Sequence, residues 1–171
     1  VNAPRLILVT GASGAGKTTL AHRLGRTIGC PVISRDEIKE GMVVNTPGFE
    51  ATPGDPLTTR TFDIFFDTLA LLLEAGVTVV GEAAFQDHVW RKGLERLNAD
   101  LRIIECRTDP ANMTTRRADR YKSNAVHARA HVYPDPRKEW VGLSMAKLTV
   151  DTTDGYQPNL DDICKYALGA G

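Results

Sequence analysis

The chain reads as an α/β fold: a doubly wound, five-stranded parallel sheet of the P-loop type, with helices on both faces. Three observations predict it. Apolar runs of strand length alternate with helical periodicities along the sequence. A glycine-rich loop joins the first such strand to the first such helix. No internal repeat or low-complexity linker interrupts the alternation, as a parallel sheet with crossover helices requires. In such a sheet the ligand lies at the carboxyl ends of the strands.

Each element has its own signal. Arg5-Leu-Ile-Leu-Val-Thr10 is a short apolar run suited to a buried parallel strand. Beyond the glycine-rich loop, Leu20, Leu24 and Ile28 form one helix stripe, with Gly29 as its stop and Pro31 just past it. Residues 31–34 form a second strand. Ser34 and Glu37 have capping-box spacing for the helix that follows. Residues 45–60, rich in Pro, Gly and Thr, read as an irregular stretch. Phe62, Phe65, Phe66, Leu69, Leu72 and Leu73 then mark a strong helix, closed by Gly76. A third strand, 77–80, ends at Gly81-Glu82. Asp87 reads as the N-cap of a helix with Trp90, Leu94 and Leu97 on one face. Residues 101–106 form a fourth strand. An arginine-rich polar segment, 110–133, follows it. Asp135 with Pro136 has the form of an N-cap and first helical residue, predicting a helix through about 146. Residues 147–150 are a fifth strand, and Leu160, Ile163, Ala167 and Leu168 line the face of a last helix.

The loop carries the chemistry. Residues 11–18, Gly-Ala-Ser-Gly-Ala-Gly-Lys-Thr, match G-x-x-x-x-G-K-[ST] between strand and helix. Gly11, Gly14 and Gly16 let the backbone curl, so that N–H groups of the loop, with Ala12, Ser13 and Ala15 between the glycines, face phosphate oxygens. The helix N-terminus at Lys17, Thr18 and Thr19 presents further donors to the same anion. Lys17 reaches the β- and γ-phosphates and the Thr18 hydroxyl can ligate Mg²⁺. The cofactors expected are ATP and Mg²⁺.

Composition bounds the rest. The chain has 171 residues, a size that suits one domain, and 42% hydrophobic with 25% charged residues permits an ordinary core. Lys+Arg and Asp+Glu both number 21, and this balance argues against a long nucleic-acid footprint. Cys30, Cys106 and Cys164 are scattered and odd in number, which predicts neither a disulfide framework nor a zinc site and fits a reducing cytoplasm. No apolar run approaches the ~18 residues of a membrane span, and no signal peptide is visible.

Three further groups fall at strand ends. Asp36 follows the second strand at the same sheet edge as the loop. A carboxylate there can accept a hydroxyl proton and orient the oxygen for in-line attack, or it can simply favour the helix dipole. Glu82 ends the third strand, where an acidic residue can hold Mg²⁺ or bind substrate. Arg116 and Arg120 share a helix face after the fourth strand, where guanidinium groups can stabilise charge on a transferred phosphoryl group. Arg117 is a weaker candidate. His127 and His131 read as structural or substrate-lining residues, because no Cys or carboxylate stands near them at ligand spacing. Arg35, Lys39, Phe49, Arg60, Phe85 and Gln86 are candidates for the acceptor pocket by position alone.

The Walker A loop followed by Ser34-Arg35-Asp36 resembles the AAA-type, ATP-binding P-loop kinases related to phage polynucleotide 5′-kinase, chloramphenicol phosphotransferase and the zeta toxins. Leu148-Thr-Val-Asp-Thr-Thr-Asp-Gly-Tyr156 with Pro158 is similar to the final strand and turn of kinase-like proteins of this group. The resemblance covers nearly the whole chain in motif order. It implies a single kinase domain over residues 1–171 with a lid at about 112–134. It makes Asp36 the general base. It also implies that lid arginines close over ATP, Arg116 with the nucleotide and one of them stacked on the adenine. Many relatives carry Asp where this chain has Glu82.

The reading that follows is an ATP- and Mg²⁺-dependent transfer of the γ-phosphoryl group to the hydroxyl of a small molecule. Lys17, Asp36, Arg116 and Arg120 would carry it, with Thr18 and Glu82 at the metal. Two alternatives stand beside it: a nucleic-acid 5′-hydroxyl acceptor, and a non-catalytic ATP-binding regulatory protein. No Asn-Lys-x-Asp guanine-recognition motif occurs, which argues against a GTPase switch. Neither the acceptor nor the oligomeric state has a signature in the sequence.

Overall fold

The computed structural model describes residues 3–135 and 137–169. Twelve elements follow in chain order: β1 (Arg5–Thr10), α1 (Lys17–Ile28), β2 (Val32–Ser34), α2 (Arg35–Val44), α3 (Pro56–Glu74), β3 (Val79–Glu82), α4 (Asp87–Leu94), β4 (Asp100–Arg107), α5 (Pro110–Ser123), α6 (Ala125–Ala130), β5 (Leu148–Asp151) and α7 (Leu160–Leu168). The five strands form one sheet in the order β2-β3-β1-β4-β5, and every pairing is parallel.

Alternating side chains of β1 enter two different cores. Leu6 and Leu8 join Val79 and Ile103 under Phe65, Phe66, Leu69 and Trp90 of α3 and α4. Ile7 and Val9 join Val80, Ile104 and Val150 under Leu20, Leu24, Ile163 and Ala167 of α1 and α7. Burial on both faces explains the uninterrupted apolar runs of the strands. The Trp90 indole N–H donates to the Thr10 hydroxyl at 3.0 Å, which satisfies both buried polar groups at the end of β1.

Helix termini follow their sequence signals where the side chains are free to cap. Gly29 closes α1 in the left-handed conformation, its N–H bonded to Gly25. Asp55-Pro56 and Asp109-Pro110 open α3 and α5, each aspartate accepting a backbone N–H three residues on. The expected irregular stretch therefore stops at residue 55.

Three local expectations are corrected. Residues 137–147 form turns, bends and irregular backbone, not a helix, and Pro136 lies outside the described residues. The backbone here is satisfied from α4 instead: Gln86 accepts from the Val141 N–H, Asp87 accepts from the Ser144 N–H, and Arg91 donates to the Ser144 carbonyl. Gln86, not Asp87, is the N-cap residue of α4, because the Asp87 carboxylate is engaged by Ser144 and Arg91. The Ser34–Glu37 capping box does not form. Ser34 stands at the N-cap position of α2 without a capping bond, and Glu37 pairs with His22 on the surface. Among the described residues no helix is long and apolar enough to cross a membrane.

Candidate active site

Parallel pairing brings the carboxyl ends of all five strands to one edge. Residues 11–16 leave β1 there and curl into α1. Gly11, Gly14 and Gly16 all have positive φ, and a Cβ on Gly11 would lie 2.5 Å from the Cys106 carbonyl oxygen. The loop is packed against β4, so glycine is required for space as well as for conformation. Lys17 is buried and its Nζ donates to the Ala12 carbonyl at 3.0 Å, arching over the loop.

Glu82 joins three elements at this edge. Its Oε2 accepts from the Ser34 hydroxyl at 2.6 Å and from the Thr18 hydroxyl at 3.3 Å. The side chain is 1% exposed. Burial raises its pKa and nearby Asp36 adds to that rise, while Lys17, Ser34 and Arg120 oppose it. Two hydroxyls and a carboxylate make an all-oxygen corner, the donor chemistry that Mg²⁺ takes, and Glu82 with Thr18 could hold it.

Asp36 sits in the first turn of α2, its carboxyl a quarter exposed. Arg35 NH1 donates to it at 3.1 Å, and Arg120 NH1 stands 4.0 Å away. Burial alone would raise its pKa. The charges of His131, Arg35, Lys17 and Arg120 reverse that effect and hold it well below the usual carboxylate range. Asp36 is therefore an ionised acceptor at neutral pH. Arg35 also lies over the Phe62 ring, 5.5 Å from its centroid.

The helical pair α5 and α6 covers the edge. Arg117 Nε donates to the Ser13 carbonyl at 2.7 Å, a direct grip on the glycine-rich loop. Arg116 turns to the far wall, donating from both terminal nitrogens to Thr152 at 3.1 and 2.7 Å. The Thr152 hydroxyl in turn donates to the Ala15 carbonyl at 2.9 Å. Arg120 donates to Glu40 at 3.1 Å. A cavity of about 720 Å³ lies between these parts, bounded by the loop with Lys17, Thr18 and Thr19, by the three arginines, and by Thr152 and Tyr156. Its volume is that of a nucleotide-sized ligand site.

Phe85 is placed elsewhere. It is a core residue, packed with Phe62, Phe65, Phe66 and Trp90 at ring separations of 4.9–5.7 Å, so its ring is not available to an acceptor. Lys39 is likewise taken, paired with Asp55 at 2.8 Å inside the fold. Gln86 spends its amide on residues 139 and 141. Phe49 lies against the Lys39 ammonium, 5.7 Å from ring centroid to Nζ, and Arg60 is exposed. Four participants escaped sequence reasoning. Thr152 and Tyr156 line the cavity from the turn after β5, and Arg23 of α1 lies over the Tyr156 ring at 5.6 Å. Glu40 gathers Arg120, His127 and His131. Glu40 stands one helical turn from Asp36, a spacing that could have pointed to it.

A family model described as "AAA domain" matches residues 6–133. Among solved structures, a candidate kinase from Chloroflexus aurantiacus J-10-fl superposes with a TM-score of 0.83 at 22% identity, covering 98% of each chain. The Mycobacterium tuberculosis APS kinase CysC, in complex with AMPPNP and APS, gives 0.69 at 15% identity, covering 99% of this chain and 98% of its own. A gluconokinase from Sinorhizobium meliloti 1021 gives 0.58 at 19% identity over 99% and 92%. Comparison with the sequences of curated proteins gave no match.

Proposed function

The chain belongs to the AAA domain family, with the fold of P-loop kinases, and from that premise we propose that it transfers the γ-phosphoryl group of ATP to a hydroxyl of a small molecule. The observation that carries the proposal is the position of Glu82. One buried carboxylate accepts hydroxyls from Thr18, at the end of the glycine-rich loop, and from Ser34, two residues before Asp36. The phosphate-binding end of β1 and the carboxylate at the head of α2 are thereby held in one frame.

In this reading the loop amides and Lys17 bind the triphosphate, and Lys17 exchanges its bond to Ala12 for phosphate oxygens. Thr18 and Glu82 would hold Mg²⁺, which would supply neutralisation of the charge on the triphosphate. Asp36 accepts the proton of the acceptor hydroxyl and orients its oxygen for in-line attack. Its low pKa makes it a better orienting acceptor than a strong base, as suits a loose transition state in which the hydroxyl proton leaves late. Arg120, beside Asp36, and Arg117, on the loop, stabilise charge on the transferred group. Arg116, held on Thr152 at the cavity wall, serves the nucleotide. Gluconokinase and APS kinase folds support a small acceptor, and the balanced charge of the chain does not favour a polynucleotide.

The test is transfer from γ-labelled ATP with Mg²⁺ to a panel of sugars, nucleosides, hydroxylated antibiotics and 5′-hydroxyl oligonucleotides. Transfer to one small-molecule class is expected. Transfer to oligonucleotides alone would replace the acceptor, and nucleotide binding without transfer to any member would favour a regulatory protein.

A further inference from the structure

Along the chain, His127 and His131 have no carboxylate at ligand spacing, but the fold supplies two from α2. Asp36 and Glu40 stand at i and i+4 on α2, and His127 and His131 have the same spacing at α6 and its C-cap. The two helices face each other. His127 Nδ1 lies 2.7 Å from Glu40 Oε1, and His131 Nε2 lies 3.6 Å from the same oxygen. Donor atoms of Asp36, His127 and His131 all lie within 4.8 Å of one another. The His131 side chain is only 10% exposed, and among the described residues its Nε2 has no hydrogen-bond partner. A buried ring nitrogen aimed at a carboxylate without bonding it is costly in an ordinary polar network.

We propose that Asp36, Glu40, His127 and His131 form a metal site for Zn²⁺ or a similar divalent transition ion, separate from the Thr18 and Glu82 corner. Two imidazoles with two carboxylates suit zinc. Mg²⁺, a hard ion that takes oxygen ligands, suits the other site. Donors of a tetrahedral zinc stand about 3.4 Å apart, so the Asp36, His127 and His131 donors, now within 4.8 Å of one another, would draw together on binding, while Glu40 would ease away from His127, at 2.7 Å. Arg120 supplies the counter-charge in the metal-free arrangement, at 3.1 Å from Glu40 and 4.0 Å from Asp36. Its side chain is about one-third exposed, so it can turn into the cavity when a dication takes its place. Arg35 stays on Oδ1 of Asp36 at 3.1 Å. The bound ion would clamp α6 to α2 and occupy the Asp36 carboxylate, so it would block phosphoryl transfer. Metal binding itself does not depend on the kinase reading.

The experiment is calorimetric titration of Zn²⁺ into the nucleotide-free chain in excess Mg²⁺, with Co²⁺ as a spectroscopic stand-in that reports coordination by its visible absorption. One saturable site is expected, indifferent to Mg²⁺. Loss of an outer-shell partner typically costs 10–100-fold in affinity, so His131→Ala, which removes a direct ligand, is expected to cost more than about 100-fold. His131→Gln, which keeps most of the volume, serves as a second variant, and circular dichroism checks that each variant folds. Absence of saturable binding by the wild type, or binding unchanged in both variants, would overturn the site. A cobalt spectrum with a thiolate charge-transfer band would put the ion on a cysteine and overturn it equally.

Discussion

The Ser34 hydroxyl donates to the Glu82 carboxylate at 2.6 Å, between residues that are register partners on the parallel strands β2 and β3. That bond removes Ser34 from helix capping and gives it to the site. Glu37→Ala is therefore expected to change stability by less than about 0.5 kcal/mol, because its one side-chain partner among the described residues is a surface histidine. A working capping box would lose about 1 kcal/mol. Chemical denaturation of the variant distinguishes the two.

Ser34→Ala has the complementary effect. It removes one of two hydroxyl donors to Glu82 and leaves the other, from Thr18, in place. The fold is expected to lose about 1 kcal/mol, while the Mg²⁺ concentration for half-maximal transfer rises. An unchanged Mg²⁺ dependence would detach Glu82 from the metal.

Lys39 and Asp55 form an ion pair inside the fold, 2% and 3% exposed, with Thr58 completing the hydrogen bonds. Asp55→Ala strands a buried ammonium and is expected to cost about 3–5 kcal/mol. The pKa of Asp55 is lowered: burial pushes upward, and the bonds from Lys39 and Thr58 more than reverse it. The sign of its pH dependence follows. The carboxylate contributes stability above the unfolded aspartate pKa of about 3.9, and that contribution fades as pH falls through the lower folded value. The stability gap between wild type and Asp55→Asn is expected to be widest at neutral pH and to close in acid.

Gly93 of α4 meets the Phe66 ring so closely that a Cβ would collide with it. Gly93→Ala gains helix propensity yet overpacks the aromatic core. A net loss of about 1–3 kcal/mol is expected in urea unfolding.

Much of the fold is legible because its determinants are local. Buried strands, the glycine-rich loop and the Phe62–Leu73 stripe each carry their pattern within a few residues. Misreadings arose where a distant partner outcompeted a local one. Ser34 bonds Glu82 across 48 residues, and the backbone at 141–144 bonds Gln86, Asp87 and Arg91 of α4 in place of its own turn. The Asp-Pro signal read at 135–136 is used instead at Asp55-Pro56 and Asp109-Pro110. At the site, the glycine-rich loop was readable from its spacing. The meeting of Glu40 with Arg120, His127 and His131 was not, since no motif spans 80 or more residues. Phe85 shows the limit of reasoning by position: an aromatic residue near a strand end looks the same in sequence whether it faces a pocket or a core.

Arg117 anchors the glycine-rich loop. Its bond to the Ser13 carbonyl is a charge-assisted contact, and such contacts are worth about 1.5–3 kcal/mol. Arg117→Ala is expected to weaken nucleotide binding about 10–100-fold, read by equilibrium titration with a fluorescent ATP analogue.

In the proposed reaction, Asp36 acts on the acceptor and not on the nucleotide. Its most direct test is Asp36→Asn, with the turnover rate and the ATP dissociation constant measured on the same preparation. The expected result is a loss of at least about 100-fold in kcat with ATP affinity nearly unchanged. Equal turnover by both proteins would contradict the assignment.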